Sequence, residues 1–383
     1  MALQAPSQTT SYDQSGTYVL SLDEMVDAIL LDDHSLLGIL GVTTDNPAEQ
    51  TKHEWDEDEL NPVTAAASAT GALTTSSATL ILAASDASRV TAGTLLKDSL
   101  SGKFEVLQVT ARSGVSATVT RGYGATSAES HADSASYEII AHPRPEGMEG
   151  PKDESVARTR PYNYTQIFSK GVRITGTAEA IKHNGISSEQ SYQIDKRMRE
   201  LMRELDRTLI MGVRSSTRHS DTVYGTMGGL IDFIKHATSG NTNSTAETLT
   251  PSVLNAMIKQ VWDDGGDPSH IVVGGLQKQK ISSFDKEYRR STMDTRRAGF
   301  TVENFVSDLG IDLPVVVDRW VPNDVCMVID ASRVSVKPLQ TRNFFLEKLA
   351  KTGDYEPWQI VGEFTAEVKN AAKAHSIHWN LKQ

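Results

Sequence analysis

SSEQSYQIDKRMRELMRELDRTLIMG, residues 187–212, is the longest helical signal in the chain. Ser187 and Gln190 form a capping box at its start, each able to satisfy a backbone group that the first turn leaves unpaired. Ile194, Met198, Leu201, Leu205 and Leu209 then recur every three or four residues and make one apolar stripe. Asp195, Lys196, Arg199, Glu200, Arg203, Glu204 and Arg207 occupy the other faces. Asp195–Arg199 and Glu200–Arg203 support the helix by about a few tenths of a kcal/mol per pair. Gly212 ends it. At about 1.5 Å per residue the helix spans roughly 35 Å, the breadth of a domain. A single apolar stripe with a long charged back predicts a spine lying on a sheet.

The flanking sequence supplies that sheet. Downstream, Thr250-Pro251 opens another helix, with Pro251 at its favoured first position and Val253, Met257, Ile258 and Val261 on one face. His270 to Gly274, Leu313 to Val317 and Val325 to Asp330 read as short buried strands, and Trp358 to Leu381 as strands on either side of Lys369-Asn370. Helices interleaved with apolar strands give an α/β or α+β class. Upstream, Tyr162 to Phe168 and Val172 to Thr177 flank Ser169-Lys170-Gly171, which reads as a β-hairpin or a bent extended arm.

Residues 63–141 differ in character, dense in Ala, Ser, Thr and Gly with no tryptophan or proline after Val63. Thr79 to Leu82, Phe104 to Val109, Ala117 to Thr120 and Tyr137 to Ile140 read as strands punctuated by Gly93, Gly102, Gly114 and Gly122. This predicts a small β-barrel or sandwich. Residues 1–20 are a polar arm. Ser21 and Glu24 make a capping box before Leu22, Met25, Val26, Ile29 and Leu30, a short amphipathic helix that needs a partner surface.

Composition narrows the function classes. With 383 residues, 38% hydrophobic and 23% charged, the chain suits two or three folded modules. No apolar run reaches the length of a membrane span, and the first residues do not resemble a signal peptide, so no membrane is expected. Cys326 is the only cysteine, which excludes an intrachain disulfide and thiolate metal clusters. The net charge of −11 lacks the electrostatic footprint of a dedicated nucleic-acid binder. A wall that encloses DNA without gripping it is compatible with that charge.

Candidate chemistry is sparse. His375 and His378 have the i, i+3 spacing of a helical metal pair, but their surroundings read as strand, where those positions face opposite ways. Glu54 to Glu59, interrupted by Trp55, reads as a solvated acidic face. Arg289, Arg290, Arg296 and Arg297 form the notable basic cluster, and with nothing nearby to stack bases they read as a protein contact. Gly122-Tyr123-Gly124 and Gly225 to Gly229 match no phosphate loop and read as turns. No nucleophile elbow or catalytic pairing emerges, so no enzyme, cofactor or metal is expected.

From Asn163 onward, ordered segments resemble the tailed-phage major capsid proteins with the Hong Kong 97-type fold, in the subgroup with an added β-module. They are Asn163 to Phe168, Val172 to Thr177, the helix Glu189 to Met211, Met227 to Leu230, Leu349 to Asp354, and Glu363 to His375. The resemblance implies an α+β capsid fold with an inserted all-β module. It assigns 1–50 to an N-terminal arm, 51–62 and 142–178 to an extended loop reaching over a neighbouring subunit, and 63–141 to the inserted module. Residues 179–249 and 335–383 become a peripheral domain and 250–334 an axial domain. Trp55, Ile167, Phe168, Lys170 and the four arginines are the expected inter-subunit contacts. Implied partners are further copies in hexamers and pentamers, a separate scaffolding protein, a portal protein at one vertex, a decoration protein and loosely held DNA. The expected location is the virion capsid, assembled in the bacterial cytoplasm. The rival readings are a receptor- or carbohydrate-binding structural protein using the β-module, a tail-tube or decoration protein, and an enzyme.

Overall fold

The computed structural model describes residues 35–100, 102–147, 155, 157–181, 188–215, 217, 222–238, 240–284, 289–291 and 302–382. The segment opened by Ser21, Gly185, Arg296 and Arg297 lie outside them. The chain divides into two units, one of Met1–Trp55 with Pro161–Gln383 and the other of Asp56–Arg160. The larger begins with α1 (Ser35–Leu40) and β1 (Lys52–Glu54).

The smaller unit then forms from β2 (Thr64–Ala66), β3 (Thr79–Ile81), β4 (Leu95–Asp98), β5 (Val106–Ser113), β6 (Ser116–Thr120) and β7 (Ser136–Ala141). Its strand order is β2-β7-β4-β5-β6-β3, with every pair antiparallel. A bridge between Ala67 and Leu82, with Ala83 N–H donating to the Ala66 carbonyl, joins the two ends of that order. The sheet therefore closes into a small barrel. Its core comes from alternation, since Leu80, Leu96, Leu107, Val109, Ala117 and Tyr137 point inward while their neighbours do not. The β5–β6 turn is only Gly114-Val115, and Gly114 has φ +60, a backbone shape that favours glycine.

The larger unit resumes with β8 (Tyr162–Tyr164), β9 (Gln166–Thr175), α2 (Gly176–Ala180), α3 (Glu189–Met211), α4 (Leu230–Lys235), β10 (Asn241–Asn243) and α5 (Pro251–Asp263). It continues through β11 (His270–Val273), α6 (Gly275–Ser282), β12 (Arg289–Ser291), β13 (Val302–Val306), β14 (Asp312–Val317) and β15 (Cys326–Ile329). Last come β16 (Val334–Pro338), β17 (Phe345–Lys348), β18 (Tyr355–Val368) and β19 (Ser376–His378). The fold is α+β.

Seven strands in the order β10-β19-β15-β11-β14-β13-β12 make a mixed sheet. Both its faces are covered, which explains the unbroken apolar runs. Ile271, Val273, Cys326 and Val328 enter a core with Leu254, Met257 and Ile258 of α5. Val272, Met327, Ile329 and Ile377 enter a second core with Leu201, Leu205 and Leu209 of α3. That second core also receives Phe168 of β9 and Phe364 of β18, so the spine helix packs on a second sheet as its stripe requires.

One local expectation is corrected, and of two alternatives left open at another place one is found. The cap of α3 is Ser188, whose hydroxyl accepts from Ser191 N–H, one residue later than the capping box placed it. The segment around Ser169-Lys170-Gly171 does not turn. It is the middle of the continuous strand β9, paired antiparallel with β18 from Thr175–Tyr355 to Gln166–Phe364. Of the two open readings, the extended one holds, because the pairing partner lies far away in sequence rather than across a local turn.

The glycines around 225–229 do more than turn the chain. Gly229 N–H donates to the Gly212 carbonyl, and a Cβ on Gly229 would lie 2.6 Å from the carbonyl oxygens of Thr208 and Leu209. Backbone atoms cannot retreat as a side chain can, so α4 docks on the end of α3 only while residue 229 has no side chain. We expect Gly229→Ala to destabilise the larger unit by about 1–3 kcal/mol, the usual range for overpacking. All the tryptophans (55, 262, 320, 358 and 379) belong to this unit, so denaturant unfolding followed by tryptophan fluorescence reads it selectively.

Candidate functional site

Among the described residues, no group of three or more His, Cys, Asp or Glu is arranged to hold a metal ion. His375 and His378 have separate partners. His375 Nδ1 accepts from Asp330 N–H at 3.2 Å, and burial pushes its imidazole down to about 4. His378 Nε2 lies 2.9 Å from the Glu247 carboxylate. Burial pushes the Cys326 thiol up to about 12, leaving it a core residue without thiolate character.

The surface built by β9, β18 and β17 is more informative. Here β18 runs between β9 on one side and β17 on the other, and all of β17 is exposed. Period-2 alternation along β9 decides what each residue can do. Ile167 is 52% exposed, whereas Phe168 is fully buried with its ring edge-on to Phe364 at 6.1 Å. Adjacent strand residues face opposite ways, so these two expected contacts separate: Ile167 faces outward and Phe168 is core. Lys170 shares the Phe168 parity and reaches over α3, its amine 3.1 Å from Glu204. Trp55 is also buried, between the rings of His53 and Phe233, each 5.9 Å away. Arg289 and Arg290 lie in β12, the last strand of the seven-stranded sheet, opposite Phe305 and Asn304 of β13.

The acidic run is exposed at Glu54, Asp56, Asp58 and Glu59, as a solvated face is, and two of its carboxylates are paired at the surface. Asp56 and Asp58 of the smaller unit face Arg160 and Arg158, at 2.7 Å and 3.7 Å, where the two chain segments run antiparallel at Glu57–Thr159.

Along the charged back of α3 runs an open groove of about 620 Å³. Lys170, Arg203, Arg207, Met211 and Trp320 line it, and the Arg207 guanidinium lies 5.6 Å from the centre of the Trp320 ring. The sequence alone presents these residues as a solvated helix face. Only the arrival of Trp320 from another segment turns that face into one wall of a groove.

A buried polar hub in the barrel also escaped the sequence reading. The Glu105 carboxylate is fully buried and receives Arg121 through two hydrogen bonds of 2.8 Å, the amides of Gly122 and Glu129, and His131 Nε2 at 2.9 Å. His131 Nδ1 lies 2.7 Å from Asp98, and Arg121 also donates to the carbonyls of Thr74, Ser77 and Glu129. Burial alone would raise the Glu105 carboxyl, but Arg121, the two amides and His131 outweigh it and hold the group down to about 2. Gly122 joins the hub at φ +59, where a Cβ would sit 2.8 Å from the Thr126 carbonyl oxygen. The larger unit carries a comparable cluster. Burial would raise Glu367, but His53, Lys337 and Lys369 keep it well below the usual carboxylate range. The Glu105 carboxylate is saturated by its partners, which makes that cluster a structural lock rather than a reactive centre.

A family model described as the SU10 major capsid protein matches residues 5–382. A curated major capsid protein from Escherichia phage Phieco32 is 22% identical over 261 residues, covering 54% of this chain and 72% of that protein. Among solved structures, the capsid of a native GTA particle aligns over 98% of both chains at 10% identity, with a TM-score of 0.49. A structure from Microbacterium phage Oxtober96 covers 63% of this chain and 81% of its own at 15% identity, with a TM-score of 0.44.

Proposed function

Since this chain belongs to the SU10 major capsid protein family, we propose that it closes into hexamers and pentamers that tile an icosahedral phage head around double-stranded DNA. Its role is structural and its place is the virion capsid. The observation that carries the finer reading is the extent of the family match, which runs through both units from residue 5 to residue 382. Shell geometry is of the Hong Kong 97 type. Residues 1–50 act as the arm, 51–62 and 142–178 as the extended loop, and 63–141 as the added module. Residues 179–249 with 335–383 form the peripheral domain, and 250–334 the axial domain. Identical subunits meeting head to tail close into rings, and stability resides largely in the assembled particle. A separate scaffolding protein directs assembly, a portal occupies one vertex, and DNA is held only by proximity. Ile167, Lys170 and the arginines at 289, 290, 296 and 297 contact neighbouring subunits.

Electron microscopy of the chain expressed with its scaffold tests this reading. Thin-walled icosahedral particles with isolated capsomers are expected, and exclusively monomeric protein would overturn it. Ile167→Asp puts a charge on an outward strand position without touching the core. We expect closed-particle yield to fall at least tenfold, while the tryptophan-monitored unfolding transition of the free subunit stays unchanged.

A further inference from the structure

We propose that strand β9 pairs with β9 of a second copy across a two-fold axis that passes through Gly171. The pairing rests on the shell reading, in which copies of the chain stand side by side. Hydrogen-bond parity sets which side of β9 is open. Gly176 N–H donates to the Asp354 carbonyl, in register with the β9–β18 ladder, so the even-numbered residues of β9 bond to β18. The N–H and C=O groups of Ile167, Ser169, Gly171 and Arg173 point the other way, where no strand of the described residues pairs with them. This edge is ten residues long and its ladder with β18 has no bulge. Lys170 is turned onto α3, and the middle of the edge carries only Ser169 and Gly171. By contrast the barrel is closed, the chain at Val42 and Ala48 bridges to the outer side of β16, and β17 has four residues with two charges. A long, flat, unguarded edge is a template for a strand from another chain.

Gly171 is an independent observation. Its own subunit does not require a glycine, because a Cβ there would meet only the Trp358 carbonyl oxygen, at 3.9 Å, and its backbone is not left-handed. A glycine inside a strand weakens it and often marks the close approach of another backbone. The register follows by elimination. In antiparallel self-pairing, outward residues must meet outward residues, so the axis passes through a residue rather than between two. The centre of Gln166–Thr175 falls between Lys170 and Gly171, and only an axis at one of them pairs the whole edge. At Lys170, two ammonium groups would face each other, and like charges directly opposite destabilise a sheet. At Gly171, the residue on the axis has no side chain to meet its own image. Ile167 then lies opposite Thr175, Ser169 opposite Arg173 and Lys170 opposite Val172, with no like charges together.

The test uses the full chain assembled with its scaffold. Ser169→Cys/Arg173→Cys puts thiols on facing residues, whose Cα atoms lie about 5.5 Å apart in an antiparallel ladder, within reach of a disulfide. Mild oxidation of the particles is expected to give at least tenfold more dimer on a non-reducing gel than either single variant, since neither residue faces its own image. The native Cys326 is buried and stays silent. Adding Gly171→Asp sets two carboxylates on the axis and is expected to abolish the dimer, while tryptophan-monitored unfolding of the free subunit is unchanged. Hydrogen exchange of the unmodified chain, resolved to single amides, gives a second reading should the cysteine variants fold poorly. Amides of residues 169, 171 and 173 are expected to exchange at least tenfold slower in particles than in free subunits, with 168, 170 and 172 slow in both. Particles without the dimer, or dimer from the single variants alone, overturn the pairing and leave the shell intact. Protected odd-numbered amides without the 169–173 bond put some other segment on the edge and overturn it equally. Failure to form particles at all overturns the shell reading and the pairing with it.

Discussion

Glu105→Ala is expected to release the small barrel from its fold while the larger unit keeps its own unfolding transition. The substitution leaves Arg121 and His131 buried around a missing charge, with the amides of Gly122 and Glu129 unpaired. Breaking a buried ion pair from one side costs about 3–5 kcal/mol, which is a factor on the order of 10²–10³ in the local opening equilibrium. Hydrogen exchange of β5, β6 and β7 amides in the full chain measures it directly. Tryptophan fluorescence serves as the control, because the barrel contains no tryptophan. An Arg121→Met/Glu105→Leu double variant, which removes both charges, is expected to lose less than Glu105→Ala.

The same hub carries a pH signature. The folded-state value of Glu105 is lowered from the ordinary 4.5 to about 2. A depressed carboxyl contributes stability that is present above its unfolded value and is lost as pH falls through the folded one. Barrel stability is therefore expected to decline between about pH 4.5 and pH 2, and Glu105→Gln to be less stable at neutral pH but flatter across that window. An unchanged acid slope in Glu105→Gln would mean other carboxylates control the transition.

Phe364→Ala is the second change of large expected effect. Its ring is fully buried, 6.1 Å from Phe168 and 4.6 Å from Phe344, in the core where β9 and β18 meet α3. Emptying that volume is expected to cost about 3–5 kcal/mol, because partners on a paired strand and a long helix cannot collapse into the gap. Denaturant unfolding followed by tryptophan fluorescence reads the loss, and Phe364→Leu is expected to recover most of it.

How much of this was legible depends on how far apart the deciding residues lie. Helix α3 could be read because its cap, stripe and charges are all local, and only the cap slipped, from Ser187 to Ser188. The buried strands β11, β14 and β15 announced themselves as apolar runs, since coverage on both faces removes any need for polar residues. Strand β2, with Thr64, Ala65 and Ala66, and β4, containing Lys97 and Asp98, carry too little pattern to be seen without their barrel partners. The Glu105 hub was invisible for a different reason. A charge in a single sequence reads as solvated, and what reverses that reading comes from Arg121, His131 and Asp98, each brought in by closure of the sheet. The contact candidates in β9 suffered similarly. Ile167 and Phe168 are both large and apolar, and only the partner strand β18 fixes which of them faces out.

Closure of the barrel through Ala67 and Leu82 has a consequence for crowding. Copies of a capsid subunit stand side by side at high local concentration, where any strand with unpaired backbone groups can recruit a strand from the next copy. A sheet joined end to end has no such strand, so neighbouring barrels have no template for fusing or exchanging segments. The outer side of β17 is left open instead, carrying Glu347 and Lys348 among its exposed side chains, and charges there discourage indiscriminate pairing. Among the described residues, strand addition is thus denied to the module, and the open edges, β17 among them with its charges, belong to the larger unit.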